Sequence, residues 1–233
     1  MLPEKFRGML RGSGAAGDSK IPSQSSFYLR ASRPRLSERE TVAPRQSRGL
    51  EQFFSYIRGQ AGLSILDVAG LNQDNVNFIT SLGHKLYSED FFRSLQEAFN
   101  EPDLSDQSNP GRIDYFLRQT LNYPDQSIDG VLVWDVLEHM SPPLLAAALE
   151  RLFRILRPKG YLLAFFHSDD KVGEVPNYSF RIQDFNTLMV SQRGVRNPLQ
   201  TFNNRSLEKL FQKFESVKFF LTRENLREVI VKR

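Results

Sequence analysis

The chain has 233 residues, 40% of them hydrophobic and 25% charged. That composition supports one globular core, and no run approaches the roughly 18 apolar residues of a membrane span. There is no cysteine, which excludes disulfides, thiolate metal sites and a cysteine nucleophile. The net charge of +4 is unevenly placed: residues 1–48 carry ten Lys or Arg and four Asp or Glu, so the remainder is slightly acidic.

Residues 1–48 read as a basic tail. The stretch "RGSGAAGDSKIPSQSS" is rich in Gly, Ser and Ala and has no apolar period, so it cannot bury enough surface to offset chain entropy and is expected to be disordered. It lacks the apolar centre of a secretory signal, and the expected compartment is the cytoplasm. Nucleic acid is an expected partner only through this tail.

From Gly49 to Arg233 strands and helices alternate. Leu50, Phe53, Phe54 and Ile57 recur at helical spacing. "SILDVA" (64–69) predicts a strand, "NVNFITSLG" a helix stopped at Gly83, and "HKLYSED" (84–90) a second strand ending in acids. "FFRSLQEAF" (91–99) predicts a helix and "RIDYFL" (112–117) a weak third strand. "DGVLVWD" (129–135) is the near-continuous apolar run of a buried parallel strand. A helix follows, with Ser141 as N-cap, Pro142 at its first position, an apolar stripe of Leu145, Leu149, Leu152 and Leu156, and Pro158 and Gly160 as its stop.

"YLLAFFH" (161–167) is the next buried strand. Residues 168–203 read as a long irregular insertion on the substrate side. "SLEKLFQKF" predicts a last helix. The strands 217–222 and 227–232 are joined too tightly for a crossover, so the final strand must run antiparallel. The fold class is α/β: a Rossmann-like, doubly wound, mostly parallel sheet with an antiparallel last strand. Such a sheet binds ligands at the carboxyl ends of its strands, near Asp67, Glu89 and Asp90, Leu117, Asp135 and His167.

Taken in order, "ILDVAG", "HKLYSED", "YPDQSIDGVLVWDVLEHM", "LRPKGYLLAFF" and the closing "REVIVKR" resemble the class I S-adenosylmethionine-dependent methyltransferases over residues 50–233, with 168–203 matching loosely. The resemblance implies S-adenosylmethionine as cofactor and methyl transfer to an acceptor, with a small molecule favoured. It also implies a degenerate first motif, because Ala69, Leu71 and Gln73 stand where the family has glycines beside Gly70. Asp90, 23 residues after Asp67, lies near the offset at which a dinucleotide fold places its ribose-binding acid, and the resemblance assigns it the ribose. Its other reading is the N-cap of the helix that follows.

By the same resemblance Asp67, Ala69 and Gly70 hold the methionine end, Leu117 and Gln119 lie beside the adenine, and Asp135 closes the cofactor set. His139 and His167 are candidate general bases, since imidazole titrates in the useful range. On a helical turn Asp135, Glu138 and His139 would converge as a divalent-metal set. A structural pair orienting loop amides is the reading preferred, and no metal is assigned.

Two other classes compete with a methyltransferase. A nicotinamide or flavin oxidoreductase needs a G-x-G-x-x-G turn to receive a pyrophosphate, which "DVAGLNQDN" does not supply. A non-catalytic interaction or regulatory protein on the same fold is favoured by the glycine-poor turn, because side chains at Leu71 and Gln73 could fill the space above Gly70.

Overall fold

The computed structural model of the protein describes residues 42–99, 107–168, 173–222 and 226–233. A six-stranded sheet is formed by β2 (Ser64–Asp67), β3 (Lys85–Ser88), β4 (Ile128–Trp134), β5 (Leu156–His167), β8 (Ser216–Leu221) and β9 (Leu226–Lys232) in the order β3-β2-β4-β5-β9-β8. The first four strands are parallel, with Leu66 opposite both Tyr87 and Val131 and Leu132 opposite Leu163. β9 runs antiparallel to β5 and to β8, as the short turn between the last two strands requires.

Alternate residues of these strands feed two cores. Leu66, Val131, Val133, Leu162, Ala164 and Phe166 enter one, beneath α3 (Phe91–Phe99), α4 (Pro110–Thr120), α5 (Pro142–Ile155) and α6 (Asn204–Leu210). Ile65, Leu132, Trp134, Leu163 and Phe165 enter the other, beneath α1 (Arg48–Ile57) and α2 (Gln73–Ser81). Close approach of α1 depends on Gly130, where a Cβ would meet the Phe53 ring at 2.7 Å.

The second core is completed by a feature the sequence did not suggest. Within 168–203, expected to be irregular, Val175–Ile182 (β6) and Thr187–Arg196 (β7) form an antiparallel hairpin. Its outer partner is β1 (Val42–Gln46), with Val42 opposite Ser191 and Gln46 opposite Thr187. Residues 42–48, assigned to the tail by composition, are thus strand and helix start, and Ser47 caps α1 by accepting from the Leu50 amide at 3.0 Å. Long-range pairing with β7 orders a segment whose own composition gives no such signal. The expectation of disorder for residues 1–41 lies outside the described residues.

Three other expectations are corrected. "RIDYFL" is not a strand but part of α4: Asn109 accepts from the Gly111 and Arg112 amides, Pro110 takes the first turn, and Ile113, Phe116, Leu117 and Thr120 fall on the inward face. The Asn-Pro start and that spacing outweigh the aromatic content that suggested a strand. α5 ends at Ile155, so Leu156, Pro158 and Gly160 belong to β5. Ser141 sits at the N-cap of α5, yet its hydroxyl donates to the Gln107 carbonyl at 3.1 Å and caps nothing.

Among the described residues no helix is long and apolar enough to cross a membrane.

Candidate functional site

The site is built around the turn after β2. Asp67, 1% exposed, ends that strand with both oxygens committed: Oδ1 accepts from the Ala69 amide (3.0 Å) and Trp134 Nε1 (2.7 Å), and Oδ2 accepts from Asn75 Nδ2 (2.9 Å). Burial pushes its pKa up, and these three hydrogen bonds oppose the rise. Asp67 therefore holds the turn from below. Gly70 follows at φ 89°, and a Cβ there would lie 3.2 Å from Asp90 Oδ2. The strain of that φ and the nearness of Asp90 both favour glycine.

Asp90 does two things. Its Oδ1 accepts from the Arg93 amide at 3.0 Å and so caps α3, while its Oδ2 lies along Gly70. Backbone bonds join the two strand ends, with Gly70 donating to the Glu89 carbonyl at 2.8 Å. Glu89 is turned away and accepts from the Tyr123 hydroxyl at 2.5 Å.

The hairpin is docked on this turn by two side chains. Asn75 on α2 donates to the Phe180 carbonyl (3.3 Å) and accepts from the Ile182 amide (2.8 Å), while still donating to Asp67. Trp134 stacks on Phe180, ring centroids 5.0 Å apart at 6°. Trp134 has φ 58°, a conformation that costs a bulky residue about 1–3 kcal/mol. That backbone bend at the end of β4 accompanies an indole which reaches Asp67 and stacks on Phe180 at once.

Between turn and hairpin lies a cavity of about 360 Å³. One wall is Ala69, Gly70, Leu71, Asn72 and Asn75, with Asp90, Phe92, Arg93 and Gln96 from the start of α3. The other is Asn177 to Phe180 of β6 with Arg193 and Arg196 of β7. The side chains expected to obstruct Gly70 do not fill it. Leu71 is 80% exposed, and the Gln73 amide donates to Asn77 at 2.8 Å.

The remaining candidates stand elsewhere. Leu117 packs into the first core and Gln119 is exposed on α4, so neither reaches the cavity. Both were placed at a strand end that is in fact the middle of a helix. Asp135 is 3% exposed behind the hairpin. Burial pushes its pKa up to about 6, opposed by the His167 charge and by hydrogen bonds from its own amide and that of Tyr178.

Asp135, Glu138 and His139 are not gathered as one ligand set, because the Glu138 side chain turns to His167 and the His139 ring to the Asn197 carbonyl. Glu138 takes the His167 amide (2.9 Å) and His167 Nδ1 (2.7 Å), and its carbonyl accepts from the Leu199 and Gln200 amides. His139 Nδ1 faces the Asn197 carbonyl at 3.3 Å, and burial pushes its pKa down to about 4. Glu138, His139 and His167 thus bond to the strand ends and to the chain leaving the hairpin, and neither histidine lines the cavity. Among the described residues no cluster of three or more His, Cys, Asp or Glu is arranged to hold a metal ion.

Residues missed in the sequence are Phe92, Arg93 and Gln96, which line the cavity from one side of α3, and Asn75. For α3 the signal was available, since positions three and four apart share a face. For Asn75 none was, because its partners lie in the hairpin, 105 and 107 residues away.

The Rossmann-like sheet has a carboxylate at the end of its second parallel strand and a ligand-sized cavity at its carboxyl edge, which is where an open α/β sheet receives a ligand. The methyltransferase domain family model matches residues 69–164, which spans the cavity turn, Asp90 and β4 to β5. Over those residues the chain is similar to the methyltransferase domain family.

Solved structures of similar fold include the 1,6-didemethyltoxoflavin-N1-methyltransferase of Burkholderia thailandensis with S-adenosylhomocysteine bound. It is 14% identical, with 79% of this chain and 76% of that chain covered and a TM-score of 0.43. A SAM-dependent methyltransferase of Methanosarcina mazei is 17% identical over 77% and 96% of the two chains, TM-score 0.44. One of Archaeoglobus fulgidus is 16% identical over 79% and 91%, TM-score 0.45. No curated protein matches the sequence.

Proposed function

We propose that the protein transfers the methyl group of S-adenosylmethionine to a small-molecule acceptor bound in the cavity between the turn and the hairpin. The observation that carries this reading is Asp90. Its Oδ1 is spent on the cap of α3, and its Oδ2 lies beside Gly70 at the cavity wall. A carboxylate so placed accepts from the hydroxyls of a ribose, and a glycine at φ 89° leaves room for a ligand to approach the backbone. Ala69 and Gly70 then line the methionine end, with Asp67 supporting them from beneath. Asn72 and Phe92 complete that wall.

The cofactor supplies a methyl group on a sulfonium, a leaving group that departs readily. The chain's own residues bind, align and exclude water. The hairpin closes one side of the cavity, and Trp134 with Phe180 keeps that wall apolar at its base. A sulfonium nucleoside carries no phosphate, so anion-cradling glycines are not required of the turn. This weakens the main ground for a non-catalytic protein, as does the Gln73 amide, which donates to Asn77. A cytoplasmic site of action goes with this reading.

Calorimetry with S-adenosylmethionine and S-adenosylhomocysteine tests it. Binding near ~10 μM, or ~7 kcal/mol, that Asp90→Ala abolishes is the expected result. Absence of binding at 1 mM ligand would favour an interaction protein built on the fold.

A further inference from the structure

Leu117 and Gln119 do not reach the cavity, so neither holds the base of the cofactor. The wall that carries Asp90 offers another residue for it. Asp90, Phe92, Arg93 and Gln96 line the cavity from the start of α3. Most polar groups of this wall are committed to the protein. Asn72 Oδ1 accepts from the Asp74 and Asn75 amides at 2.9 and 3.3 Å. Asn75 is bonded to Asp67, Phe180 and Ile182. Asp90 Oδ1 caps α3, and Arg93 Nε donates to Glu97 at 2.8 Å.

Gln96 is the exception. Among the described residues its side chain has no hydrogen-bond partner. It is half-buried at the cavity wall, and its amide offers one acceptor oxygen and two donor hydrogens. Gln96 stands six residues after Asp90, about 9 Å along the helix axis. That is about the span from the hydroxyls of a ribose to the far edge of its base. Phe92 stands between them, one turn before Gln96 on the same helix face. Its ring is held by Arg196, 3.9 Å from the centroid, and by the His139 ring at 5.1 Å.

The wall thus runs carboxylate, aromatic ring, amide. A nucleoside presents its groups in the same order: diol, face of the base, edge of the base. On the edge of adenine the exocyclic amine donates and a neighbouring ring nitrogen accepts. An amide matches both at once, the pairing by which glutamine reads adenine in DNA. A carboxylate has acceptors only and a guanidinium donors only, so neither can make the pair.

We propose that Gln96 reads the edge of the adenine and makes the cavity selective for adenine nucleosides. The proposal rests on the methyl-transfer reading for the identity of the cofactor, and one experiment separates the two. The full chain is titrated with S-adenosylhomocysteine by calorimetry. Adenosine and purine riboside, which lacks the exocyclic amine, are titrated by ligand-observed NMR.

Adenosine should bind about tenfold more tightly than purine riboside. In Gln96→Leu that preference should vanish, with S-adenosylhomocysteine weakened about tenfold. Gln96→Glu keeps the oxygen that accepts from the amine and loses the donor. It should weaken both nucleosides but retain the preference, and it serves if the leucine variant does not fold. Asp90→Ala should weaken both nucleosides alike, because both carry the diol. Arg118→Gln, on α4 and paired with Asp114, should change nothing.

A protein that binds S-adenosylhomocysteine but does not prefer adenosine to purine riboside overturns the proposal and leaves methyl transfer standing. So does a preference that survives in Gln96→Leu. A preference lost in Gln96→Leu, in a protein that binds adenosine but not S-adenosylhomocysteine, keeps the base site and removes the methyl-transfer reading. Failure of all three ligands to bind overturns both.

Discussion

The two walls of the cavity are held by different means. The turn wall is held by bonds between the ends of β2 and β3 and the start of α3. Gly70 bonds to Glu89, Ala69 to Asp67, and Asp90 caps the helix beginning next to it. The hairpin wall is held together by its own β6–β7 pairing and by β1, and is docked on the turn through Asn75 and the Trp134–Phe180 stack. Asp67 serves both, since it accepts from the turn, from Asn75 and from Trp134. One buried carboxylate thus ties the turn wall to the hairpin wall.

Breaking that tie should have the largest effect. Asp67→Ala leaves the Trp134 indole, the Asn75 amide and the Ala69 N–H without their acceptor in a dry environment. We expect a loss of about 4 kcal/mol in urea unfolding, with both walls loosened together. A loss below 1 kcal/mol would mean the walls are independent.

The next effect concerns two groups behind the hairpin that oppose each other in acid. Asp135 titrates at about 6 in the fold against an ordinary 3.8. The unfolded chain gives up its proton first, so this contribution is full below the ordinary value and lost as pH rises through 6. His139 titrates at about 4 against an ordinary 6.5. Its contribution is full above the ordinary value and lost as pH falls through 4. Each amounts to about 3 kcal/mol, so between pH 7 and 4 they largely cancel. Asp135→Asn should be destabilised relative to wild type on acidification across that window, and His139→Gln should be stabilised. Parallel curves for all three proteins would contradict this account.

On the turn wall, Asp90→Ala removes an exposed cap and should cost about 1 kcal/mol in stability, yet abolish cofactor binding. The disproportion separates a ligand residue from a merely structural one. At the rim, Leu71→Ala should stay within about 0.5 kcal/mol of wild type in urea unfolding, since the side chain is 80% exposed.

The sequence makes one of these walls legible and hides much of the other. Strands ending at Asp67, Trp134 and His167 follow from apolar runs, and the reversed last strand from a turn too short for a crossover. Asp67, Gly70 and Asp90 follow from their positions at those ends. The hairpin does not, because β6 and β7 alternate only weakly in burial and depend on pairing with β1, some 140 residues away. Leu117 and Gln119 were misplaced because an aromatic-rich helix was read as a strand. The histidines drew chemical roles from imidazole chemistry and, for His167, from its place at a strand end, whereas their neighbours are Glu138 and Asn197, partners that spacing does not reveal.

The central claim is that the cofactor lies between these two walls. Hydrogen exchange of the full chain with and without saturating S-adenosylhomocysteine tests it most directly. The account predicts slowed exchange in residues 69–72 and 91–96 and, across the cavity, in 177–180 and 193–196, with α4 unchanged. Unchanged exchange at 69–72 and 91–96 in a protein that binds the ligand would contradict it.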